Sequence, residues 1–247
     1  MTASLYDDAE LYDAIAPADP VMADFYCHGL APGMQVLELA CGTGRFSLPL
    51  AQTGAALVAG DIDTVMLEAA RRRLAAVGAN AEFCQFDMRG FDLGRHFDRL
   101  VIAANSLMHL LETEDLLACL SAIRRHLAPH GELRFDVFVP SVALLARQPG
   151  ERLPLGKGRF STSRGEVKVD ETISYDPYRQ ISTADLFWSR DGAADFRVTR
   201  LVLRQIFPAE LPLLLERSGL RLIARYGDFS GAPFGSGFRQ VCICRPD

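Results

Sequence analysis

The chain has no apolar run long enough to span a bilayer. Its acidic start, Met1 to Asp8, has no signal-peptide core. Both absences lead us to expect a cytoplasmic protein with no membrane partner. The six cysteines stand at 27, 41, 84, 119, 242 and 244, and none makes a Cys-x-x-Cys pair. Neither a zinc site nor a disulfide framework is therefore expected, and a reducing compartment is the simplest setting. There is no basic surplus either. The net charge is −5, which argues against the broad footprint of a nucleic-acid binder. A third glycine is also missing. Gly42 and Gly44 would begin a Gly-x-Gly-x-x-Gly dinucleotide fingerprint, but position 47 is Ser47.

What is present is an ordinary globular composition, 49% hydrophobic and 23% charged. At 247 residues it suits one large α/β domain, with room for an inserted lobe. Gln35 to Leu39 reads as a buried strand, followed by the Gly42-Thr43-Gly44 turn and a helical pattern over Phe46 to Ala51. A strand, a glycine turn and a helix in that order build a nucleotide site, because the backbone must turn tightly beside its ligand. Cys41 reads as a small residue filling that turn. Ala56 to Gly60 reads as the second strand and ends at Asp61, about 20 residues after the turn, where a carboxylate meets a ribose in doubly wound folds. Asp63 or Thr64 caps the helix that follows. Further strands are expected over Ala81–Phe86, Phe97–Ala104 and Glu132–Val139, with a helix over Leu116–Leu127. This alternation specifies a doubly wound parallel sheet.

Glu38 at the end of the first strand, ahead of Gly42 and Gly44, resembles motif I of the class I S-adenosylmethionine-dependent methyltransferases. A carboxylate there suits a cationic amino-acid moiety and repels a pyrophosphate, which also disfavours a nicotinamide dehydrogenase. Asp61-Ile62-Asp63 resembles motif II. The resemblance implies a seven-stranded Rossmann-like sheet with S-adenosyl-L-methionine as cofactor, S-adenosyl-L-homocysteine as product and no metal. It also implies cofactor contacts from Glu38, Ala40, Gly42, Gly44 and Arg45 in the loop, from Asp61 and Ile62, from Asp87 and Met88 at the adenine, and from Asn105. Asn105 to Leu110 forms a motif IV-like loop that places His109 near the transferred methyl group. As a lone histidine between Met108 and Leu110, His109 could equally be a core residue. The loop is not the Asn/Asp-Pro-Pro-Tyr/Phe of many DNA methyltransferases, a further mark against nucleic acid.

After residue 139 the alternation breaks. Residues 140 to 163 are rich in Pro, Gly, Arg and Ser, like a linker. Strand-like runs over Glu166–Tyr175, Arg179–Ser189 and Asp195–Phe207 then read as an antiparallel meander. The expected organisation is a cofactor-binding core of residues 1–139 and 208–247, with a 140–207 lobe roofing the substrate site. Tyr6 and Tyr12 either pack the N-terminal segment or reach the cofactor and acceptor. Trp188 and Phe187 either form a flat apolar wall for substrate or pack the meander. Arg239 either meets an anionic substrate or makes a surface ion pair. The meander and the Tyr226–Gly231 loop look like those of N-methyltransferases of small amines, including aminosugar N,N-dimethyltransferases and the toxoflavin type. The expected function is methyl transfer by direct displacement to a nitrogen of a small molecule, plausibly in secondary metabolism. Tyr12, His109 and Arg239 would shape the acceptor pocket, with His109 orienting more than deprotonating. The alternatives are an O-methyltransferase with His109 as base and a non-catalytic cofactor binder.

Overall fold

The computed structural model describes residues 3–247, and Met1 and Thr2 lie outside the described residues. Two compact units divide the chain. One is Ala18–Val139 with Ile206–Asp247, and the other is the segment up to Pro17 with Pro140–Gln205. In chain order, the N-terminal segment holds β1 (Ala3–Ser4) and α1 (Ala9–Ile15). The larger unit begins with α2 (Pro20–Cys27), β2 (Gln35–Leu39), α3 (Ser47–Gln52), β3 (Ala56–Asp61) and α4 (Thr64–Ala75). It continues with β4 (Glu82–Gln85), β5 (Phe97–Ile102), α5 (Thr113–His126) and β6 (Leu127–Phe138). The inserted segment holds α6 (Val142–Leu145), β7 (Leu153–Thr162), β8 (Gly165–Asp176), β9 (Ile181–Arg190) and β10 (Ala193–Arg204). The larger unit then closes with α7 (Leu211–Arg217), β11 (Leu220–Tyr226) and β12 (Arg239–Pro246).

The larger unit is the expected doubly wound sheet of seven strands, in the order β11-β12-β6-β5-β2-β3-β4. The five strands from β4 to β6 run parallel, and β12 lies antiparallel between β6 and β11. Parallel strands covered on both faces need continuous apolar runs. Val36, Leu37 and Leu39 in β2 and Leu100, Val101 and Ile102 in β5 are accordingly fully buried. On one face α2, α3 and α4 bring Met22, Tyr26, Leu50, Leu67 and Ala70 against Val36, Leu57, Ala59 and Val101. A helix of six residues such as α3 does not stand alone, so this packing is what holds it. Asp63 caps α4 by accepting the N–H groups of Val65 (2.7 Å) and Met66 (3.2 Å). The strand order reverses between β2 and β5, which opens a crevice at their carboxyl ends.

The start of β6 differs from expectation. β6 starts at Leu127, directly after α5, and not at Glu132. Leu127 already pairs with Phe97, and Pro129-His130-Gly131 falls in the register shift before Arg99 meets Glu132. A Cβ on Gly131 would lie 2.7 Å from the Phe97 carbonyl oxygen, so only glycine fits this irregularity.

The smaller unit is a five-stranded sheet, β1-β10-β9-β8-β7, antiparallel except where β1 joins β10. The meander is as expected, but β7 occupies the stretch that reads as a linker. Gly156 (φ 52°) and Gly158 (φ 75°) sit in a register shift between Pro154 and Arg159, so its Pro/Gly content marks an irregular strand. The segment up to Pro17, placed with the core by sequence, groups with this lobe. Ala3 and Ser4 pair with Thr199 and Arg200. Leu5 and Leu11 join Val167, Val169, Leu186 and Trp188 in its core, and Arg164 binds Asp8 and Glu10.

Candidate active site

The site is built on the loop that leaves β2. Ala40 (φ 53°), Gly42 (φ 55°) and Gly44 (φ 76°) turn the chain back. At Gly44 a Cβ would lie 2.9 Å from Ala70, so the loop closes onto α4 only with glycine there. Glu38, just below the loop, is 1% exposed. Its carboxylate accepts the Ser47 hydroxyl. Burial pushes Glu38 up to about 8, offset only partly by the Ser47 hydrogen bond and the charge of Arg45. Ser47, at the position of the third fingerprint glycine, thus serves as the hydrogen-bond donor to the buried carboxylate.

Asp61 at the end of β3 pins the same loop. Its Oδ2 accepts the Gly42 N–H at 2.7 Å, and its Oδ1 accepts the Asp63 N–H at 2.9 Å. Burial raises its pKa above the ordinary value. A Cβ on Gly60 would lie 2.1 Å from the Phe86 ring, so β3 and the chain after β4 approach through that glycine.

A cavity of about 240 Å³ opens here, and its lining includes Ala40, Asp61, Ile62, Asp87, Met88 and His109. Ile62 keeps 60% of its surface exposed, an apolar face at the edge of a polar cleft. Asp87 is held by Arg89, whose Nε donates at 2.9 and 3.0 Å and whose Nη2 donates at 2.5 Å. That guanidinium holds Asp87 below the ordinary carboxylate range. Arg89 also approaches Asp115 at 3.6 Å. Arg89 and Asp115 both line the cleft and were not singled out from sequence.

His109 shares the cleft with Asp61, Asp87 and Met88, the residues expected at ribose and adenine. Burial pulls its pKa down to about 4. It is therefore a neutral imidazole and a weak base at neutral pH, which weighs against the alternative of an O-methyltransferase with His109 as base. Asn105 does not line the cleft; it follows β5 in the left-handed conformation (φ 65°) and precedes the short helical turn Ser106–His109.

Arg239 makes an ion pair, but with a buried partner. Its Nη1 donates to Asp136 Oδ2 at 2.6 Å, and its guanidinium lies 4.7 Å from the Phe138 ring centroid and 5.2 Å from that of Phe229. Asp136 is fully buried, so the pair is anchored inside the fold and is not the surface ion pair expected as the alternative. Asp136, too, was not singled out from sequence. The available signal was an aspartate inside the apolar run Phe135-Asp136-Val137.

In the smaller unit, Trp188 is fully buried and its Nε1–H donates to Thr199 Oγ1 at 2.9 Å. A ring enclosed in the lobe's own core has no face left for a substrate, which corrects the expectation of a pocket wall. Tyr6 and Tyr12 are half-buried, with ring centroids 5.4 Å apart at 56°, and Tyr12 packs on the lobe core.

A glycine loop, a buried carboxylate before it and a second carboxylate pinning it stand together at the switch point of a doubly wound sheet, where such folds take their ligands. Known proteins agree. Residues 36–131 match the family described as a methyltransferase domain. The cypemycin N-terminal methyltransferase of a Streptomyces species is 26% identical, over 97% of this chain and 96% of its own. A Streptomyces venezuelae dTDP-3-amino-3,4,6-trideoxy-alpha-D-glucopyranose N,N-dimethyltransferase is 31% identical over 51% of this chain and 54% of its own. Among solved structures, the CcbJ methyltransferase of Streptomyces caelestis superposes with a TM-score of 0.84 at 27% identity, covering 98% of both chains. The chain is an S-adenosylmethionine-dependent methyltransferase, with its methyltransferase domain at residues 36–131.

Proposed function

We propose that the protein transfers a methyl group from S-adenosylmethionine to a nitrogen of a small-molecule acceptor, an amine or nitrogen heterocycle of secondary metabolism. The observation that carries the cofactor half is the buried Glu38 carboxylate beneath a glycine loop pinned by Asp61. When bound, the cofactor supplies a methyl group on a positively charged sulfur, an electrophile that needs no activation by the protein. Glu38 would serve the α-ammonium of the cofactor's amino-acid portion, its carboxyl ionising to offset that charge. Asp61 keeps a second lone pair on each oxygen, after binding Gly42 and Asp63, for the ribose hydroxyls. Asp87, oriented by Arg89, accepts from the adenine amino group beside Met88, and Ile62 supplies apolar cover.

Transfer would be a direct displacement in which the acceptor nitrogen's lone pair takes the methyl carbon, the carbon–sulfur electrons stay with sulfur, and a nitrogen that carries a proton releases it to solvent. Alignment of such a pair is worth roughly 7–11 kcal/mol of barrier. An imidazole held near 4 by burial is a weak base for a hydroxyl proton, and an amine lone pair needs no such help, which favours a nitrogen acceptor over an oxygen acceptor. The similar proteins named above, an N-terminal methyltransferase and an N,N-dimethyltransferase, lie in the same direction. We infer a cytoplasmic location from the six cysteines, which are all free. Among the described residues no helix is long and apolar enough to cross a membrane.

The test is incubation of the protein with S-adenosylmethionine and a panel of amines, aminosugar nucleotides, azaheterocycles and matched alcohols, read by mass spectrometry. Methylation confined to nitrogen acceptors is the expected result. Methylation of the alcohols alone would refute the nitrogen assignment.

A further inference from the structure

Asp136 ties together three pieces of the larger unit. Its Oδ1 accepts the Tyr26 hydroxyl at 2.5 Å and the Ala104 N–H at 2.6 Å, and its Oδ2 accepts Arg239 Nη1 at 2.6 Å. The Asn105 N–H also bonds to it. A fully buried carboxylate needs this many donors to be tolerated. The result is that α2, the turn after β5 and the start of β12 share one group.

The turn it holds is strained. Ala104 (φ 55°) and Asn105 (φ 65°) are consecutive non-glycine residues in the left-handed region. Such backbone persists only where its surroundings over-determine it, and it clusters at functional sites. Here the two N–H groups of the strained pair are the ones Asp136 binds. The same turn carries a second anomaly: Asn105 Oδ1 is buried and has no hydrogen-bond partner among the described residues. A buried acceptor without a partner is unfavourable, and its natural complement is an N–H donor.

The sheet sets where this acceptor stands. β5 lies beside β2, with Ile102 paired to Leu39, so Asn105 and the end of β2 that carries Glu38 stand at adjacent carboxyl ends. That is the end of the site assigned above to the cofactor's amino-acid portion. Asp61, which ends β3, and Asp87, two residues past β4, lie on the other side of β2.

We propose that Asp136 is a positioning residue of the methyl-transfer site, holding the Ala104–Asn105 turn so that the Asn105 amide oxygen accepts a hydrogen bond from the α-ammonium of the bound cofactor. The proposal rests on the cofactor reading, and the test separates the two. The intact protein is titrated calorimetrically with S-adenosylhomocysteine and with 5′-methylthioadenosine, which keeps the thioether nucleoside but lacks the ammonium.

Asn105→Ala should weaken S-adenosylhomocysteine by about tenfold or more and leave methylthioadenosine unchanged. Asn105→Asp, which keeps an acceptor oxygen and tolerates the left-handed backbone, should retain binding. Asp136→Asn should also weaken S-adenosylhomocysteine, and Asp136→Asn/Asn105→Ala should bind no worse than the weaker single variant. Should Asp136→Asn fail to fold, Tyr26→Phe takes its place, because it removes a donor from the oxygen that holds Ala104. It is expected to weaken the same ligand and to add nothing in the Asn105→Ala background. Unchanged S-adenosylhomocysteine binding in Asn105→Ala, equal loss of both ligands, or additive losses in the double variant would each overturn the proposal. A folded wild type that binds neither ligand would remove the cofactor reading, and this proposal with it.

Discussion

Glu38→Gln is expected to stabilise the ligand-free protein while weakening its ligand binding. Burial holds Glu38 at about 8 in the folded chain, against an ordinary value of 4.5. At pH 7 the folded chain keeps a proton that the unfolded chain has released. Stability from this group is therefore fully present below pH 4.5 and is lost as the pH rises through 8. The loss grows by about 1.4 kcal/mol per pH unit, to roughly 3 kcal/mol at pH 7 and roughly 5 kcal/mol above pH 8. Glutamine still accepts the Ser47 hydroxyl and never ionises, so the variant escapes that loss. Its melting temperature at pH 7 should exceed the wild type's by roughly 6–12 °C, and the two curves should converge below pH 5. Differential scanning calorimetry between pH 4.5 and 8, with and without S-adenosylhomocysteine, reads both halves of the expectation. The ligand should raise the wild-type melting temperature more than the variant's, because an amide cannot neutralise an ammonium. A variant less stable than wild type across the whole range, or one binding the ligand equally well, would refute the reasoning.

Other perturbations probe the surroundings. His109 lies at about 4 against an ordinary 6.5, so its contribution to stability is complete above pH 6.5 and is lost as the pH falls through 4. His109→Asn should flatten that acid limb by up to roughly 3 kcal/mol in urea unfolding at pH 4 against pH 7. Gly60→Ala forces a methyl group into the Phe86 ring at 2.1 Å; it should destabilise the fold by roughly 1–3 kcal/mol and weaken S-adenosylhomocysteine in the same titration, since Phe86 lines the cleft. Trp188→Phe leaves the Thr199 hydroxyl without its buried donor and should lower stability by roughly 2–4 kcal/mol in denaturant unfolding.

The features legible in the sequence were local ones. Glu38, Gly42, Gly44 and Asp61 lie within one strand–turn–helix–strand unit, where spacing alone places a carboxylate below a glycine turn and another at the next strand end. The Asp63 cap and the parallel strands were legible for the same reason. What the sequence hid depends on distant pairing. Arg239 meets Asp136 across 103 positions, and Tyr26 meets it across 110. Nothing about an arginine before a terminal strand says which carboxylate it will find. Trp188 looked like a free aromatic because its enclosure needs Leu5 and Leu11 from the far end of the chain. β7 was masked by glycines that serve a strand irregularity and also mark linkers. The pairing of Asp87 with Arg89, two residues away, was within reach of sequence reasoning, since an aspartate and an arginine flanking Met88 leave a strand end together.

The central claim is that the cleft bounded by Asp61, Asp87 and Met88 binds S-adenosylmethionine with Asp61 as a principal contact. Calorimetric titration of wild type and Asp61→Ala with S-adenosylhomocysteine tests it most directly, because the demethylated product cannot turn over. Saturable binding by the wild type that is lost in a folded Asp61→Ala variant is the predicted result. A folded wild type that gives no heat of binding, or an Asp61→Ala variant that binds as tightly, would contradict it.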